Sequence, residues 1–379
     1  MSLGLYLHYP FCSNRCDYCD FYKEVHDRDL ERRYFRALTT ETALTAMRYG
    51  LKGRQLHSIF IGGGTPSLVD WDMLAAWLDQ VRHVFDVPDS IEFSLETNPE
   101  SVSLDKLKAW RSLGVNRPVF GIQSFNGKLL RRLGRRHRPA DSQRAIYQTR
   151  ALGYPNFGVD LIFGLPGQTV KMLSSDLDQL LGLEPPHISF YQLSVEPGTR
   201  LAERVAKGEL RLPDIETSLA MYRGGCERMD RAGYSRYEVS SLALSGYECR
   251  HNLGYWLGDD YLGLGPSAHS FIGGRRSANP PDIGRWLTEL EERRLPSRPD
   301  ESGDEERMAE AIMLGLRMAQ GLNRRRFAER FGQPVDERLN PAQYSLFIQS
   351  AHLVEEDDYL RLSPDGLCMA DEITRRLLK

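Results

Sequence analysis

The sequence has no long hydrophobic run, few cysteines and no excess of charge of one sign. No apolar stretch approaches the roughly 20 residues needed to cross a bilayer, and the start, MSLGLYLHYPFC, lacks the basic segment of a signal peptide. Six cysteines in 379 residues are too few for a disulfide-stabilised secreted fold. A net charge of −3 gives no bulk attraction to nucleic acid or anionic membranes. We therefore expect a cytoplasmic globular protein without a nucleic-acid partner.

Three of the six cysteines stand close together near the N-terminus. Cys12, Cys16 and Cys19 follow the spacing C-x3-C-x2-C, and no fourth cysteine is near. A structural zinc site needs four ligands, usually as two C-x2-C pairs, and His8 and His26 could complete one only in an unusual order. A [4Fe–4S] cluster held by three thiolates leaves one iron open, and S-adenosylmethionine (SAM) binds such an iron through its amino and carboxylate groups. The spacing favours the cluster over zinc or unrelated thiols.

The first half of the sequence alternates between short β-rich runs and amphipathic helical patterns. Strands are predicted at 3–9, 57–62, 91–97, 118–123, 157–164 and 187–194. Helices are predicted at 28–49, 70–85, 103–113, 139–152 and 169–183. Six successive strand–helix units indicate a parallel sheet curled into a partial or full barrel. In such barrels the active site lies at the C-terminal ends of the strands.

Polar and glycine residues stand at the predicted strand ends. Glu96 and Gln123 end the third and fourth strands, and Asp160 lies in an otherwise apolar fifth strand, where a charge needs a partner or a function. The second strand is followed by GGGTPS (62–67). This segment is either a simple tight turn or a stretch of backbone that a ligand can approach closely, with N–H groups suited to an anion.

Four segments of the chain resemble the radical SAM superfamily, and specifically its HemN-like branch. They are YLHYPFCSNRCDYCDF (6–21), GGGTPS (62–67), VFGIQSFNGKLLRRLGR (119–135) and VDLIFGLPGQT (159–169). The resemblance implies an α/β fold, a radical SAM (β/α)6 partial TIM-type barrel followed by a C-terminal α-rich, winged-helix-like domain. It implies that Cys12, Cys16 and Cys19 ligate a [4Fe–4S] cluster. It also implies SAM contacts at Tyr6, Gly63, Gly64, Thr65, Glu96, Gln123, Arg135 and Asp160.

Two functions within this branch must be separated, and three features favour the haem chaperones of the HemW type over oxygen-independent coproporphyrinogen III oxidase. The oxidase signature continues with a further cysteine where this sequence has Phe21. The oxidase carries an N-terminal extension, whereas this sequence begins directly on the first predicted strand. The segment 249–265 contains H-N-x-x-Y-W, which resembles the chaperone signature. We expect a binding and transfer protein, and the oxidase or a HemN-like radical SAM methyltransferase is the alternative. Enzymatic activity stays open at this stage.

The H-N-x-x-Y-W motif supplies candidate haem contacts. Haem needs an axial ligand and flat apolar neighbours, so the resemblance implies that His251 ligates iron and that Tyr255 and Trp256 stack on the porphyrin. The spacing alone also allows a structural role in packing and hydrogen bonding. The partners implied are haem and haem-accepting proteins, including respiratory enzymes at the membrane, and a homodimer is compatible with the sequence.

Three regions are predicted along the chain. Residues 1–213 form the barrel, residues 214–300 an accessory segment carrying the H-N-x-x-Y-W motif, and residues 301–379 a C-terminal helical domain with a short hairpin. An exposed linker, SRPDESGDEE (297–306), separates the last two. The basic run RRLGRRHR (131–138) lacks the interleaved aromatic residues of a single-strand nucleic-acid site. It is interpreted as a solvated helix end that holds one functional arginine.

Overall fold

The computed structural model describes residues 2–379, and its centre is a parallel sheet formed by the first half of the chain. Strands β1, β4, β5, β6, β7 and β8 pair in this order, all parallel. The elements are β1 (Leu3–Tyr9), β2 (Phe11–Cys12), β3 (Glu24–Val25), α1 (Arg28–Arg48), β4 (Leu56–Gly63), α2 (Trp71–Val84), β5 (Glu92–Thr97), α3 (Leu104–Ser112), β6 (Arg117–Gln123), α4 (Gly127–Arg132), α5 (Pro139–Ala151), β7 (Gly158–Phe163), α6 (Val170–Gly182), β8 (His187–Gln192) and α7 (Arg200–Ala206). The predicted (β/α)6 architecture is confirmed.

Local sequence signals explain where these helices begin and end. The side chain of Asp27 accepts a hydrogen bond from the backbone N–H of Leu30 and so caps α1. Thr169 caps α6 in the same way. Gly50, with φ of 63°, supplies the left-handed residue that ends α1. These signals are readable in the sequence, which is why the predicted helix bounds agree with the observed ones.

The strands alternate between an apolar outer face and a polar inner face. In β1, Leu3, Leu5 and Leu7 are fully buried in the apolar core. In β5, Phe93 and Leu95 face that core, so their neighbours point to the opposite side of the sheet. The concave side of the partial barrel carries polar groups together with some apolar side chains, and a cofactor can be held there.

The middle of the chain extends the same sheet at both edges. The added elements are α8 (Ile215–Arg231), β9 (Ser235–Glu238), β10 (Ser241–Ala243), α9 (Arg250–Leu257), β11 (Tyr261–Leu264), β12 (His269–Ile272), β13 (Arg275–Ala278), α10 (Ile283–Glu291) and β14 (Arg298–Pro299). With them the sheet has twelve strands within residues 2–379, in the order β14-β13-β12-β11-β1-β4-β5-β6-β7-β8-β10-β9. β11 pairs parallel to β1, with Gly4 opposite Tyr261. The sheet therefore stays open, with edges at β14 and β9.

The C-terminal part has a small sheet and an apolar core of its own. Its elements are α11 (Asp304–Arg317), β15 (Leu322–Asn323), α12 (Arg324–Phe331), α13 (Pro341–Gln349), β16 (Leu353–Glu356), β17 (Tyr359–Leu362), α14 (Pro364–Leu367) and α15 (Ala370–Leu377). Ile312, Phe327 and Leu360 are buried at its centre. The boundaries at 213 and 300 stay predictions. Across residues 2–379, no helix combines the length and the apolarity required to cross a membrane.

Candidate functional site

The three clustered cysteines lie in the loop that follows β1. β2 pairs with β3, with Cys12 opposite Val25, and the backbone N–H of Asp17 donates to the carbonyl of Leu133 at 2.9 Å. These contacts fold the loop over the C-terminal ends of the barrel strands. All three cysteines are unpaired thiols. Together they line a cleft of about 420 Å³.

The three thiols line one cleft, an arrangement that suits the ligation of a cluster. Among residues 2–379, no three side chains of the His, Cys, Asp and Glu types are gathered tightly enough to hold one ion. A zinc ion would need its sulfurs at about 2.3 Å from one point. In a [4Fe–4S] cluster each thiolate binds a different iron, so its cysteine ligands surround a larger space. Three thiols around one cleft match the second arrangement.

Hydroxyl and cationic groups surround the thiols. Burial raises the pKa of Cys12, and a hydrogen bond from Thr65 Oγ1 at 3.4 Å opposes that shift. Burial also raises the pKa of Cys19, which the charge of Lys23 opposes. Nη1 of Arg135 lies 3.7 Å from Sγ of Cys16. Because metal binding requires thiolates, these groups offset part of the cost of placing negative charge in the cleft.

The glycine motif packs directly against the cysteine loop. The backbone N–H groups of Gly64 and Thr65 donate to the carbonyls of Tyr9 (2.7 Å) and Phe11 (2.8 Å). A Cβ on Gly64 would lie 2.7 Å from the carbonyl oxygen of Phe11, so only glycine fits. The N–H of Gly63, whose φ is 106°, donates to the Glu96 carboxylate at 3.2 Å. The motif thus joins β4 to the cysteine loop, and its N–H groups bond within the protein rather than to an incoming anion.

Two half-buried carboxyl groups face the cleft from the inner face, Glu96 on β5 and Asp160 on β7, with β6 between them. Burial, and to a smaller extent the charge of Asp160, raise the pKa of Glu96 to about 8. Burial raises the pKa of Asp160 to about 6, against the effect of a hydrogen bond with Ser189 and the charge of Arg117. Both side chains line the cleft. They can therefore offer protonated or ionised oxygens to ribose hydroxyls or a cationic ligand.

Gln123 adopts a backbone conformation that is uncommon for a residue with a side chain. Its φ is 67°, and the pairing between β6 and β7 shifts register beside it. The hydroxyl of Tyr191 donates to Oε1 of Gln123 at 3.1 Å. Left-handed non-glycine residues are concentrated at ligand sites. Here the bulge turns the amide into the cleft.

Arg135 is held rigidly at the cleft wall. Its Nη2 donates to Oδ1 of Asn98 at 2.9 Å and to the carbonyl of Gly121 at 2.6 Å. Its Nε is buried without a partner among the described residues. A guanidinium with one spare donor is suited to a ligand carboxylate, so the fit to the methionyl end of SAM is good.

Tyr6 lies inside the barrel but not on the cleft. Its hydroxyl is 3.1 Å from Nδ1 of His8, and its ring packs at 6.3 Å from the rings of Phe60 and His251. The cleft lining does not include it. The structure thus brings together the predicted SAM and cluster residues with the exception of Tyr6.

The H-N-x-x-Y-W motif lies on α9, at the opposite end of the barrel from the cysteines. Glu92, the first residue of β5, accepts hydrogen bonds from the N–H groups of Arg250 (2.9 Å) and His251 (3.0 Å). The Glu92 carboxylate, on β5, therefore caps the N-terminus of helix α9. Glu92 and Glu96 are four residues apart on one strand, or about 13 Å. The motif and the cysteine cleft are therefore separate places.

His251 is buried with both ring nitrogens engaged. Nδ1 lies 2.8 Å from Oγ of Ser58, and Nε2 lies 2.8 Å from the hydroxyl of Tyr255. Its ring stacks on Phe60 at 5.1 Å, and burial lowers the pKa of His251 to about 3. Trp256 points elsewhere, into a groove between α9 and the C-terminal part. The three predicted haem contacts therefore do not share one surface.

Several residues at the cleft escaped the sequence prediction. Asn98 and Thr97 directly follow Glu96, and Oγ1 of Thr97 is buried without a partner among the described residues. Tyr18 and Tyr191 also line the cleft. The L-E-T-N run at the end of the third strand was the available signal for the first two. Nothing local marks the tyrosines, because their position depends on how the loop and β8 fold.

Two family models match the chain and define its class. The radical SAM superfamily model matches residues 6–180, and the HemN C-terminal domain model matches residues 304–368. The protein is a radical SAM protein, so its cofactors are a [4Fe–4S] cluster and SAM. Nearly full-length relatives narrow this further: the chain belongs to the HemW family.

The relatives are similar along their whole length. The protein named "Heme chaperone HemW" from Bacillus subtilis is 35% identical over 97% of this chain and 97% of its own. The HemW proteins of Haemophilus influenzae (34%, 99% and 98%) and Mycobacterium tuberculosis (36%, 99% and 94%) are equally similar. The solved structure of Escherichia coli coproporphyrinogen III oxidase (HemN) superposes with a TM-score of 0.83, covering 99% of this chain and 89% of its own. At 21% identity, it shows the fold alone.

Proposed function

We propose that this protein is a haem chaperone, which binds haem, a [4Fe–4S] cluster and SAM and transfers haem to acceptor proteins. The observation that carries the proposal is the full-length similarity to proteins named as haem chaperones. Phe21, where the oxidase signature has a cysteine, supports it. Respiratory enzymes at the membrane are the acceptors we propose, with a cytoplasmic location and a homodimeric state as further parts of the proposal.

We propose that Cys12, Cys16 and Cys19 hold the cluster and that the cleft beside them holds SAM. The support is that the thiols surround one cleft with acidic, amide and guanidinium groups on its walls. The residues proposed to contact SAM are Gly63, Gly64, Thr65, Glu96, Gln123, Arg135 and Asp160. Tyr6 would contribute indirectly, through its hydrogen bond to His8, whose ring packs beside Gly63. The cluster, when bound, supplies an electron for SAM chemistry, and the chain's own groups orient the ligand and balance its charge.

Haem contacts are proposed on α9. Trp256, at the groove, is the member of the motif that a porphyrin can reach without rearrangement. Iron ligation by His251 requires Nε2 to release Tyr255 in a ring that is 2% exposed. The hydrogen bonds of His251 and Tyr255 therefore support an anchoring role for these two residues.

A haem titration of the cluster-loaded protein under anaerobic conditions tests the proposal. We expect saturable one-to-one binding, measured by Soret absorption. We also expect the bound haem to pass to an apo-acceptor protein. His251→Ala and Tyr255→Phe are the informative variants. If His251 is the iron ligand, Tyr255→Phe should strengthen binding and His251→Ala should change the Soret spectrum. Anaerobic conversion of coproporphyrinogen III, or no haem binding, would contradict the proposal.

A further inference from the structure

The groove beside Trp256 combines apolar walls with positive charge. It lies between the end of α9, helix α11 and helix α12, and has a volume of about 110 Å³. Its apolar lining includes Leu257, Leu314, Met318, Phe327 and Phe331. Its charged lining consists of Arg326 and Arg330, with no acidic residue. In a chain of net charge −3, such a lining is complementary to an apolar anion.

Arg330 is the exposed member of the groove that has no partner. Among the described residues, its side chain forms no hydrogen bond or ion pair, and its guanidinium lies over the rings of Phe271 (5.1 Å) and Phe331 (5.0 Å). Partial desolvation of the guanidinium against these rings, and then the charge of Arg326, lower the pKa of Arg330. The stacking fixes the guanidinium, so little side-chain entropy remains to be lost when an anion binds.

The carboxylates around Arg330 are already engaged elsewhere. Asp259 pairs with Arg326 at 2.6 Å, and Asp260 pairs with Arg54 at 2.7 Å. Glu310 pairs with Arg276. The fold thus neutralises these arginines internally and leaves Arg330 for a ligand.

We propose that this groove binds an edge of haem and that Arg330 pairs with one of its propionates. The inference rests on the proposed function. Haem is a flat apolar ring with two carboxylates, which matches aromatic and aliphatic walls beside an unpaired guanidinium. The groove is smaller than the few hundred Å³ of a site that encloses a whole cofactor. Only one edge of the ring is therefore enclosed, and the remainder stays accessible to an acceptor.

Haem and haem dimethyl ester, whose propionates are uncharged, are titrated into cluster-loaded full-length wild type, Arg330→Gln and Arg325→Gln. Arg325 lies on the same helix, is exposed, and pairs with Asp358 at 2.6 Å. Arg330→Gln loses a charge-assisted pair, so this variant should bind haem about tenfold or more weakly than wild type does. The ester should bind wild type and Arg330→Gln equally, and Arg325→Gln should resemble wild type.

The outcomes separate the inference from the proposed function. The groove assignment would be overturned if wild type and Arg330→Gln bound haem equally tightly. It would also be overturned if the substitution weakened binding of the ester as much as binding of haem. Either result would leave the chaperone proposal standing. Wild type that binds no haem would overturn both. Arg330→Lys keeps a charge and should fall between the two. Thermal unfolding of each variant verifies the fold. The midpoints should lie close to that of wild type, because Arg330 forms no hydrogen bond or ion pair among the described residues.

Discussion

Nη1 of Arg135 lies 3.7 Å from Sγ of Cys16, while Nη2 of the same guanidinium is bound to Asn98 and to the carbonyl of Gly121. One half-buried arginine thus contacts both the cysteine loop and the end of β6. Because Nε has no partner among the described residues, the guanidinium still has a donor for a ligand carboxylate.

The first prediction concerns Arg135→Gln. The variant keeps a polar side chain but loses the charge, so we expect SAM to bind at least about tenfold more weakly. Equilibrium dialysis of SAM with the anaerobic, cluster-loaded protein measures this. Arg136→Gln, the exposed neighbour, is the matched control and should retain wild-type affinity. If Arg135→Gln also retained wild-type affinity for SAM, Arg135 would have no role in SAM binding.

The second prediction concerns Gly64→Ala. The new Cβ would lie within 2.7–2.8 Å of the carbonyls of Pro10 and Phe11, so the cysteine loop must shift. We expect a lower iron and sulfide content per chain after reconstitution, and a cost of about 2 kcal/mol in the free energy of unfolding.

Gly182→Ala is the control for this substitution. Nothing lies within 4 Å of a Cβ at that position, and alanine is the better helix former. Iron content should therefore equal that of wild type. Full cluster loading of Gly64→Ala would mean that the loop accommodates a methyl group and that the close packing is incidental.

The barrel could be predicted because its signals are local. The six strands and five helices were placed within two residues of their observed bounds, since period-two patterns and helix caps such as Thr169 depend on neighbours in sequence. The polar residues at strand ends share the cleft for a topological reason. Parallel strands in successive units bring their C-terminal ends to one side, so Glu96 and Gln123 meet without any readable contact signal.

The arrangement of α9 could not be predicted, because it depends on contacts between distant residues. Ser58 and His251 are 193 positions apart, and Glu92 caps a helix that begins more than 150 residues later. The motif pattern gave candidate haem contacts but not the direction of each side chain. The helix rotation buries His251 in the barrel, leaves Tyr255 hydrogen-bonded to it and turns Trp256 to the groove. The same holds for the N–H groups of Gly63 and Gly64, which donate to Glu96 and to the carbonyl of Tyr9.

The third prediction uses the buried ring of His251. Its pKa is lowered to about 3 by burial, whereas an unfolded histidine titrates near 6.5. Below pH 6.5 the unfolded chain therefore binds a proton that the folded chain refuses, so the ring's contribution to stability is present above pH 6.5 and decreases as the pH falls toward 3. At pH 5 the loss amounts to about 2 kcal/mol.

His251→Gln does not titrate and lacks this loss. We expect the variant to be less stable than wild type at pH 7, because the bonds to Ser58 and Tyr255 are not both retained. The difference should shrink by about 2 kcal/mol at pH 5. Urea unfolding of both proteins at the two pH values measures it. His83→Gln, on the exposed side of α2, should instead follow wild type at both pH values. A constant difference between His251→Gln and wild type would mean that water or an anion reaches the ring, and with it that the end of the barrel under α9 opens, as iron ligation by His251 would require.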